Sequence, residues 1–272
     1  MTRSTPVPPF KLPNGLSIQQ ANPVETASLF NQIYVENLYF QRGISLPENA
    51  LVIDGGANIG LFSLYVLQHY PTATVVSVEP APKTFERLQA NTSPFKKRAT
   101  AYNIALGRED GEMPFTYFPN VTCASGLYEA EDLERIENVA RTMALESEKT
   151  PAALREPAGR EMLDYIIAER LKRQTVLVPV RSLSTLISTA AVKHIDLLKL
   201  DVEGSEYGTL QSVRDEHWAM IDQLAIEVHD SPVTLPLLEE LLRQRNFDVT
   251  SDELPVKTRK AMIYARRAAG RA

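Results

Sequence analysis

An open α/β sheet, mostly parallel and covered by helices on both faces, is the architecture that this 272-residue sequence predicts. Three observations predict it. The run Leu51-Val52-Ile53-Asp54-Gly55-Gly56-Ala57-Asn58-Ile59-Gly60 joins a short apolar strand to a glycine-rich turn, and Leu61-Phe62-Ser63-Leu64-Tyr65-Val66-Leu67 then opens a helix. The next apolar run, Thr74-Val75-Val76-Ser77-Val78, again ends in an acid, Glu79. Strand-length and helix-length patterns go on alternating along the chain, as a parallel sheet with crossover helices requires.

Taken in order, residues 1–24 are proline-rich and read as a flexible or surface-draped arm. Residues 25–41 space Leu29, Phe30, Ile33, Tyr34, Leu38 and Tyr39 as a helix would. Together residues 1–48 form an N-terminal arm and helical extension to a main domain at 49–268. In that domain a strand at 51–54 leads to a helix at 59–69, a strand at 74–79 to a helix at 82–91, and a third strand runs from about Ala99 to Ile104. The Asp110-Gly111 turn starts an extended run from Met113 to Phe118. Residues 127–174 break the alternation with two apolar helical stripes, separated by Pro151 and Pro157. Such an insert serves as a lid, as an oligomer surface, for which a homodimer is one option, or equally as a solvated embellishment. Strands at Val176–Val180, Ile195–Leu200 and Gln223–Val228 follow, with helices at 182–191, 206–217 and Leu237–Arg245. Asp248-Val249 and Ala261–Ala265 form a closing antiparallel pair, and Pro255 prevents one continuous central strand.

Composition excludes several classes. The net charge is −5 with both signs interspersed, so no footprint for nucleic acid or an anionic membrane is present. The single cysteine, Cys123, rules out an internal disulfide and a cysteine metal cage. No apolar run reaches membrane-spanning length, and the start of the chain lacks the apolar core of a signal peptide. A cytoplasmic protein is expected.

A strand, glycine turn and helix bring backbone N–H groups against a nucleotide-like ligand. The turn reads D-G-G-A-N-I-G rather than G-x-G-x-x-G, and the carboxylate of Asp54 would repel a pyrophosphate. This favours S-adenosylmethionine, a cationic nucleoside without phosphates, over NAD. Glu79 stands where such folds grip a ribose.

A second constellation lies at the ends of two later strands. Lys199, Asp201 and Glu203 alternate, as do Glu227 and His229, and each set shares one face if its strand runs through. With Asp54 they should converge on one cleft at the carboxyl ends of neighbouring strands. Half-buried like charges need a proton, a partner or a metal, and Lys199 can neutralise one of them.

At Val52–Gly60, Val78-Glu79-Pro80, Lys199-Leu200-Asp201-Val202-Glu203-Gly204 and Ile226-Glu227-Val228-His229 the chain resembles the FkbM-type S-adenosylmethionine-dependent methyltransferases. The match covers roughly residues 35–230 apart from the insert. That family carries a branched or small residue where Gly55 stands here. The resemblance implies a Rossmann-like class I methyltransferase fold, with a mostly parallel seven-stranded sheet whose last strand is antiparallel. It also implies O-methylation of a small-molecule acceptor, often in natural-product pathways. Carried over by position, Asp54 and the Gly55, Gly56, Ala57 and Asn58 backbone, with Gly60 closing the turn, would hold the methionine part of the cofactor. Glu79, shaped by Pro80, would bond the ribose hydroxyls. Asn103, Ile104 and Ala105 would lie near the adenine, while Asp201, Glu203 and His229 would face the sulfonium.

A hydroxyl acceptor needs a base, and His229, whose ordinary pKa lies near working pH, is the first candidate. Asp201 or Glu203 could orient it or take the proton instead. A carboxylate acceptor needs only neutralisation, from Lys199 or an arginine of the insert. A divalent ion held by Asp201, Glu227 and His229 is a further option. A cofactor-binding scaffold without catalysis is the alternative to an enzyme.

Overall fold

A computed structural model describes residues 9–254 and 258–268, so Pro6, Val7, Pro8 and Pro255 lie outside the described residues. The centre is a seven-stranded sheet. β3 (Leu51–Gly55), β4 (Thr74–Val78), β5 (Ala99–Tyr102), β9 (Leu197–Leu200), β10 (Gln223–Val228), β11 (Phe247–Glu253) and β12 (Ala261–Arg267) are ordered β11-β12-β10-β9-β3-β4-β5. The pairs β4–β5, β3–β4, β3–β9 and β9–β10 are parallel, and β12 runs antiparallel to both β10 and β11. The chain reverses its direction of strand addition at β3, so the carboxyl ends of β3 and β9 border a crevice.

The strands are apolar because both faces are covered. Ile53, Leu198, Leu200, Leu224 and Ile226 pack on one face, against α7 (Leu183–Thr189), α8 (Glu206–Gln211), α9 (Asp215–Trp218) and α10 (Ser231–Gln244). Val52, Val75, Leu197, Ala225 and Met262 pack on the other, against α2 (Leu61–His69) and the N-terminal segment. α3 (Pro82–Thr92) contributes Leu88 and Asn91, and the Asn91 side chain clamps Gln19 and the carbonyl of Ile59. Trp218 is a core residue, edge-on to Phe247.

Several local expectations change. The described part of the arm does not float: β1 (Phe10–Lys11) and β2 (Ser17–Ile18) pair as a hairpin, and Leu12 and Ile18 are buried. The helix expected over 25–41 is three pieces: α1 (Pro23–Phe30), a π-turn at Asn31–Val35 and a 3-10 turn at Leu38–Phe40. The left-handed backbone of Asn37 (φ 53°), which no α-helix accommodates, forces the last break. The third strand stops at Tyr102. Ala105–Leu106 (β6) instead joins β7 (Gly111–Tyr117) and β8 (Gln174–Arg181) in a separate three-stranded sheet. The helix expected over 206–217 is interrupted between α8 and α9, where the Arg214 N–H turns to the Ser184 hydroxyl. The insert contains α4 (Ala130–Glu146), α5 (Ala152–Arg155) and α6 (Arg160–Arg170). Its apolar stripes are incompletely covered, and Met143, Met162, Tyr165 and Ile166 stay exposed. Among the described residues no helix is long and apolar enough to cross a membrane.

The glycine turn shows most clearly why the sequence reads as it does. Gly56 has φ 72°, and a Cβ there would stand 1.8 Å from the carbonyl oxygen of Asp201. Gly111 has an ordinary φ and open space around it. Gly56→Ala should therefore destabilise the protein by about 2 kcal/mol or more in urea unfolding, combining left-handed strain with a backbone overlap. Gly111→Ala should leave the midpoint within about 0.5 kcal/mol. Equal midpoints for the two variants would contradict this account.

Candidate functional site

The site is built from the carboxyl ends of β3, β4, β9 and β10. Asp54 and Lys199 face each other in register across β3 and β9. The Lys199 ammonium lies 3.1 Å from Asp54 Oδ1 and donates to the carbonyls of Gly56 (2.8 Å) and Gly55 (3.3 Å). It also sits over the rings of Tyr39 and Phe62. The other Asp54 oxygen accepts a bond from Ser63, which meets Ser77. Asp54 is fully buried and absent from the cavity wall, so the expectation that it grips the ligand directly changes: it holds the lysine that holds the turn. The lining begins with Gly56 and Asn58.

Asn58 has a left-handed backbone (φ 49°), and its N–H donates to Glu79 Oε2 at 3.0 Å. The Ala81 N–H donates to Glu79 Oε1 at 2.9 Å. Burial outweighs these two bonds and pushes the Glu79 carboxyl up to about 7. The Asn103 amide donates to the carbonyls of Glu79 and Pro80, which fixes the bend after β4. Pro80 and Ala105 line the cavity, whereas Ile104 packs against the core.

The acid cluster converges as expected, but by another route. β9 ends at Leu200, and Glu203 reaches the cluster through a left-handed turn (φ 49°) rather than along a strand. Its Oε2 lies 3.1 Å from His229 Nε2 and accepts from the Tyr128 hydroxyl at 3.1 Å. His229 Nδ1 is 2.8 Å from Glu206 Oε1, and Asp201 and Glu227 stand 3.9 Å from Nε2. Lys260 is 2.6 Å from Glu227 and 3.8 Å from Glu203. The Tyr39 hydroxyl donates to Asp201 (3.1 Å) and Glu227 (3.4 Å).

These contacts sort the titrations. Burial opposes the charge on His229, but Glu203 and Glu206 prevail and hold its pKa well above the ordinary value. His229 is then an imidazolium at neutral pH with both nitrogens on carboxylates. This opposes the expectation that it acts as base, because carboxylate oxygens 3.1 Å and 2.8 Å from its two nitrogens favour the protonated ring. Burial likewise opposes charge on Glu203, yet His229 and Lys260 pull it down to about 2. Asp201 goes the other way: burial first, then the Glu227 charge, raise it to about 6 against the pull of Lys199.

Asp201, Glu227 and His229 do offer ligand atoms within 4.8 Å of one another. In this arrangement, however, the Lys260 ammonium and the imidazolium supply the positive charge that a divalent ion would bring. Residues that sequence reasoning missed are Tyr39, Lys260, Tyr128 and Glu206. Glu206 alone left a trace, as the second acid of Glu203-Gly204-Ser205-Glu206.

The space between the lining residues, counted out to its open mouth, is about 600 Å³. Its described charged lining is Glu79, Asp201 and Glu203, with no cationic side chain. Val78, Ala105, Leu106, Phe115 and Leu127 add apolar surface. An acidic, half-apolar pocket beside a glycine turn fits a cationic nucleoside. Lys199 lies outside the lining, behind Gly55 and Gly56.

The chain is similar to several known proteins. The family model described as the methyltransferase FkbM domain matches residues 54–249. The 31-O-demethyl-FK506 methyltransferase FkbM of Streptomyces tacrolimicus is 32% identical over 264 residues, covering 96% of this chain and 97% of that protein. Methyltransferase sdnD of Sordaria araneosa is 30% identical over 263 residues, covering 93% and 94%. The AMB antimetabolite synthetase AmbE of Pseudomonas aeruginosa is 33% identical over 262 residues, and this chain spans 12% of its length.

Two stability outcomes follow from the site. Asp54→Ala strands the Lys199 charge in the interior and should cost about 3–5 kcal/mol in urea unfolding; a loss below about 1 kcal/mol would show that the pair is not a structural anchor. Because the Glu79 pKa rises on folding, from 4.5 to about 7, the folded state retains a proton that the unfolded chain has released. Its stabilising share is complete below the unfolded value and is lost as pH rises through the folded one. The stability of wild type relative to Glu79→Gln should therefore fall between about pH 4.5 and 7, by on the order of 3 kcal/mol at the limit. A difference that stays flat across this window in thermal melts would refute it.

Proposed function

The chain belongs to the FkbM methyltransferase family, and on that footing we propose that it transfers the methyl group of S-adenosylmethionine to a hydroxyl oxygen of a small-molecule acceptor in the cytoplasm. The observation that carries this reading is the charge of the cavity wall: three acids and no cation among the described lining residues. Such a wall attracts a sulfonium. It repels a carboxylate acceptor, which would need a cation beside it, and so favours a neutral hydroxyl. The name of the Streptomyces relative, which specifies an oxygen, supports the same choice.

The cofactor supplies an electrophilic methyl group on a cationic sulfur. The chain aligns the acceptor and removes its proton. Asp201 is the base in this reading, since it lines the cavity and its pKa of about 6 suits a carboxylate that must be ionised at neutral pH yet still accept a proton. Glu203, drawn down to about 2, is too weak a base and serves as fixed negative charge. His229 clamps Glu203 and Glu206, and Lys199 braces the turn. Glu79 accepts from the ribose hydroxyls, and the apolar residues at the ends of β4 and β6 cover the adenine. No divalent ion is required, because Lys260 and His229 balance Glu227 and Glu203.

Calorimetric titration with S-adenosylmethionine should show saturable binding that is unchanged by magnesium or EDTA. With labelled cofactor and a panel of hydroxyl-bearing natural products beside their carboxylate analogues, label should enter the hydroxyl compounds alone. Asp201→Asn should lower turnover about 10²–10⁴-fold. Wild-type turnover by that variant, loss of activity in EDTA, or label confined to the carboxylates would each defeat the corresponding part of the proposal.

A further inference from the structure

The segment that precedes the family-matched region forms part of the cavity wall, and one of its residues is an acid in an unusual setting. Glu25, on α1, is buried, and among the described residues no lysine, arginine or histidine lies within ion-pair distance of it. Its two oxygens accept instead from the Thr122 N–H (3.0 Å), the Thr122 hydroxyl (2.7 Å) and the Cys123 N–H (2.6 Å). A carboxylate is an expensive group to bury for the sake of attaching a surface helix, where a leucine would serve. The contact is worth that cost only where position matters.

What it positions can be followed bond by bond. The Thr122 hydroxyl that donates to Glu25 accepts from the Asn58 amide at 3.0 Å, and the Asn58 N–H holds Glu79. Leu29, one helical turn beyond Glu25, lines the cavity, as do Thr122 and Cys123. The Asn22 amide, at the start of α1, donates to the carbonyl of Asn120 in the same loop. The far end of the segment is held differently: Phe30 and Tyr34 stack on each other, and Tyr34 packs edge-on to Tyr65 of α2. The apolar attachment coincides with the π-turn at Asn31–Val35, which contains Tyr34 and follows Phe30, a backbone form that often marks functional sites. One end is thus fixed by apolar packing, and the end over the cavity by polar bonds that water can replace when it opens.

We propose that Glu25 is a positioning residue for the cofactor: through Thr122 it fixes Asn58 and Glu79, and it holds α1 closed over the bound nucleoside. This rests on the assignment of the cavity to S-adenosylmethionine.

The test uses S-adenosylmethionine itself, with affinity read by calorimetry and dissociation by stopped-flow chase with S-adenosylhomocysteine. Glu25→Ala should weaken binding about 10–100-fold, as loss of bonds to a charged group implies, and chiefly through faster dissociation. Thr122→Val keeps the loop's shape and its N–H to Glu25 but cuts the bridge to Asn58, and should weaken binding about 3–10-fold. Tyr34→Phe removes the hydrogen bond to Gln68 at the anchored end and should leave the dissociation rate within about twofold of wild type. A folded Glu25→Ala protein that releases the cofactor at the wild-type rate would overturn the proposal, as would an equal effect of Tyr34→Phe. If Glu25→Ala does not fold, an unchanged rate in Thr122→Val overturns it. Absence of binding by the wild-type chain would instead remove the cofactor assignment, and this proposal with it.

Discussion

The buried pair of Lys199 and Asp54 is the interaction on which the rest of the site depends. Two charges taken out of water seldom repay their desolvation by attraction alone, and an apolar pair would stabilise the sheet as well or better. This pair does something that an apolar one could not. A lysine has three donors, and here they meet a carboxylate and the carbonyls of two consecutive glycines. Those carbonyls belong to the end of β3 and the turn after it, and packing alone leaves such polar groups without the donors that the lysine supplies. Gly55 accepts a further bond from the Asp201 N–H, which ties the same turn to the end of β9.

A second level of order is the division of the acids into two kinds. Glu203 and Glu227 are each faced by a cation and are held low. Glu79 is buried with no cation within ion-pair distance among the described residues, Asp201 is half-buried with its nearest cations 3.8 Å and 3.9 Å away, and both are held high. Environments that drive like groups apart in this way assign them different work. The low pair keeps its charge over a wide pH range, and the high pair stands nearer to neutrality. A cation placed beside them would favour the ionised form of both.

The sequence made the near-range features legible and concealed the distant ones. The strand, turn and helix at 51–67 could be read because every residue that shapes it is local: the glycines, the short apolar run and the helical spacing are contiguous. The antiparallel last strand was legible for a similar reason, as its turn signals and apolar run stand together. Tyr39 and Lys260 could not be found in this way. Each meets Glu227 across a long stretch of chain, and nothing beside either one distinguishes it from an ordinary core tyrosine or surface lysine. Glu203 was named for the right place by the wrong route, since strand periodicity does not extend past Leu200 and a left-handed turn delivers the side chain instead. The small second sheet escaped notice because β6 is two residues long and its partner β8 lies beyond the insert. Reading His229 as a base runs against its electrostatics: an ordinary pKa says little about an imidazole set between two carboxylates.

The placement of β12 has a consequence for how the protein is made. It is the latest of the seven strands in chain order, yet it lies inside the sheet, between β10 and β11. Lys260, immediately before it, is the partner of Glu227. A chain leaving the ribosome therefore exposes β10 and β11 with no strand between them, and carries Glu227 without its lysine, until Lys260 and β12 have been synthesised. The sheet cannot close and the acid cluster cannot balance before that moment, so assembly of this half waits for its latest strand and cannot proceed strand by strand as the chain grows.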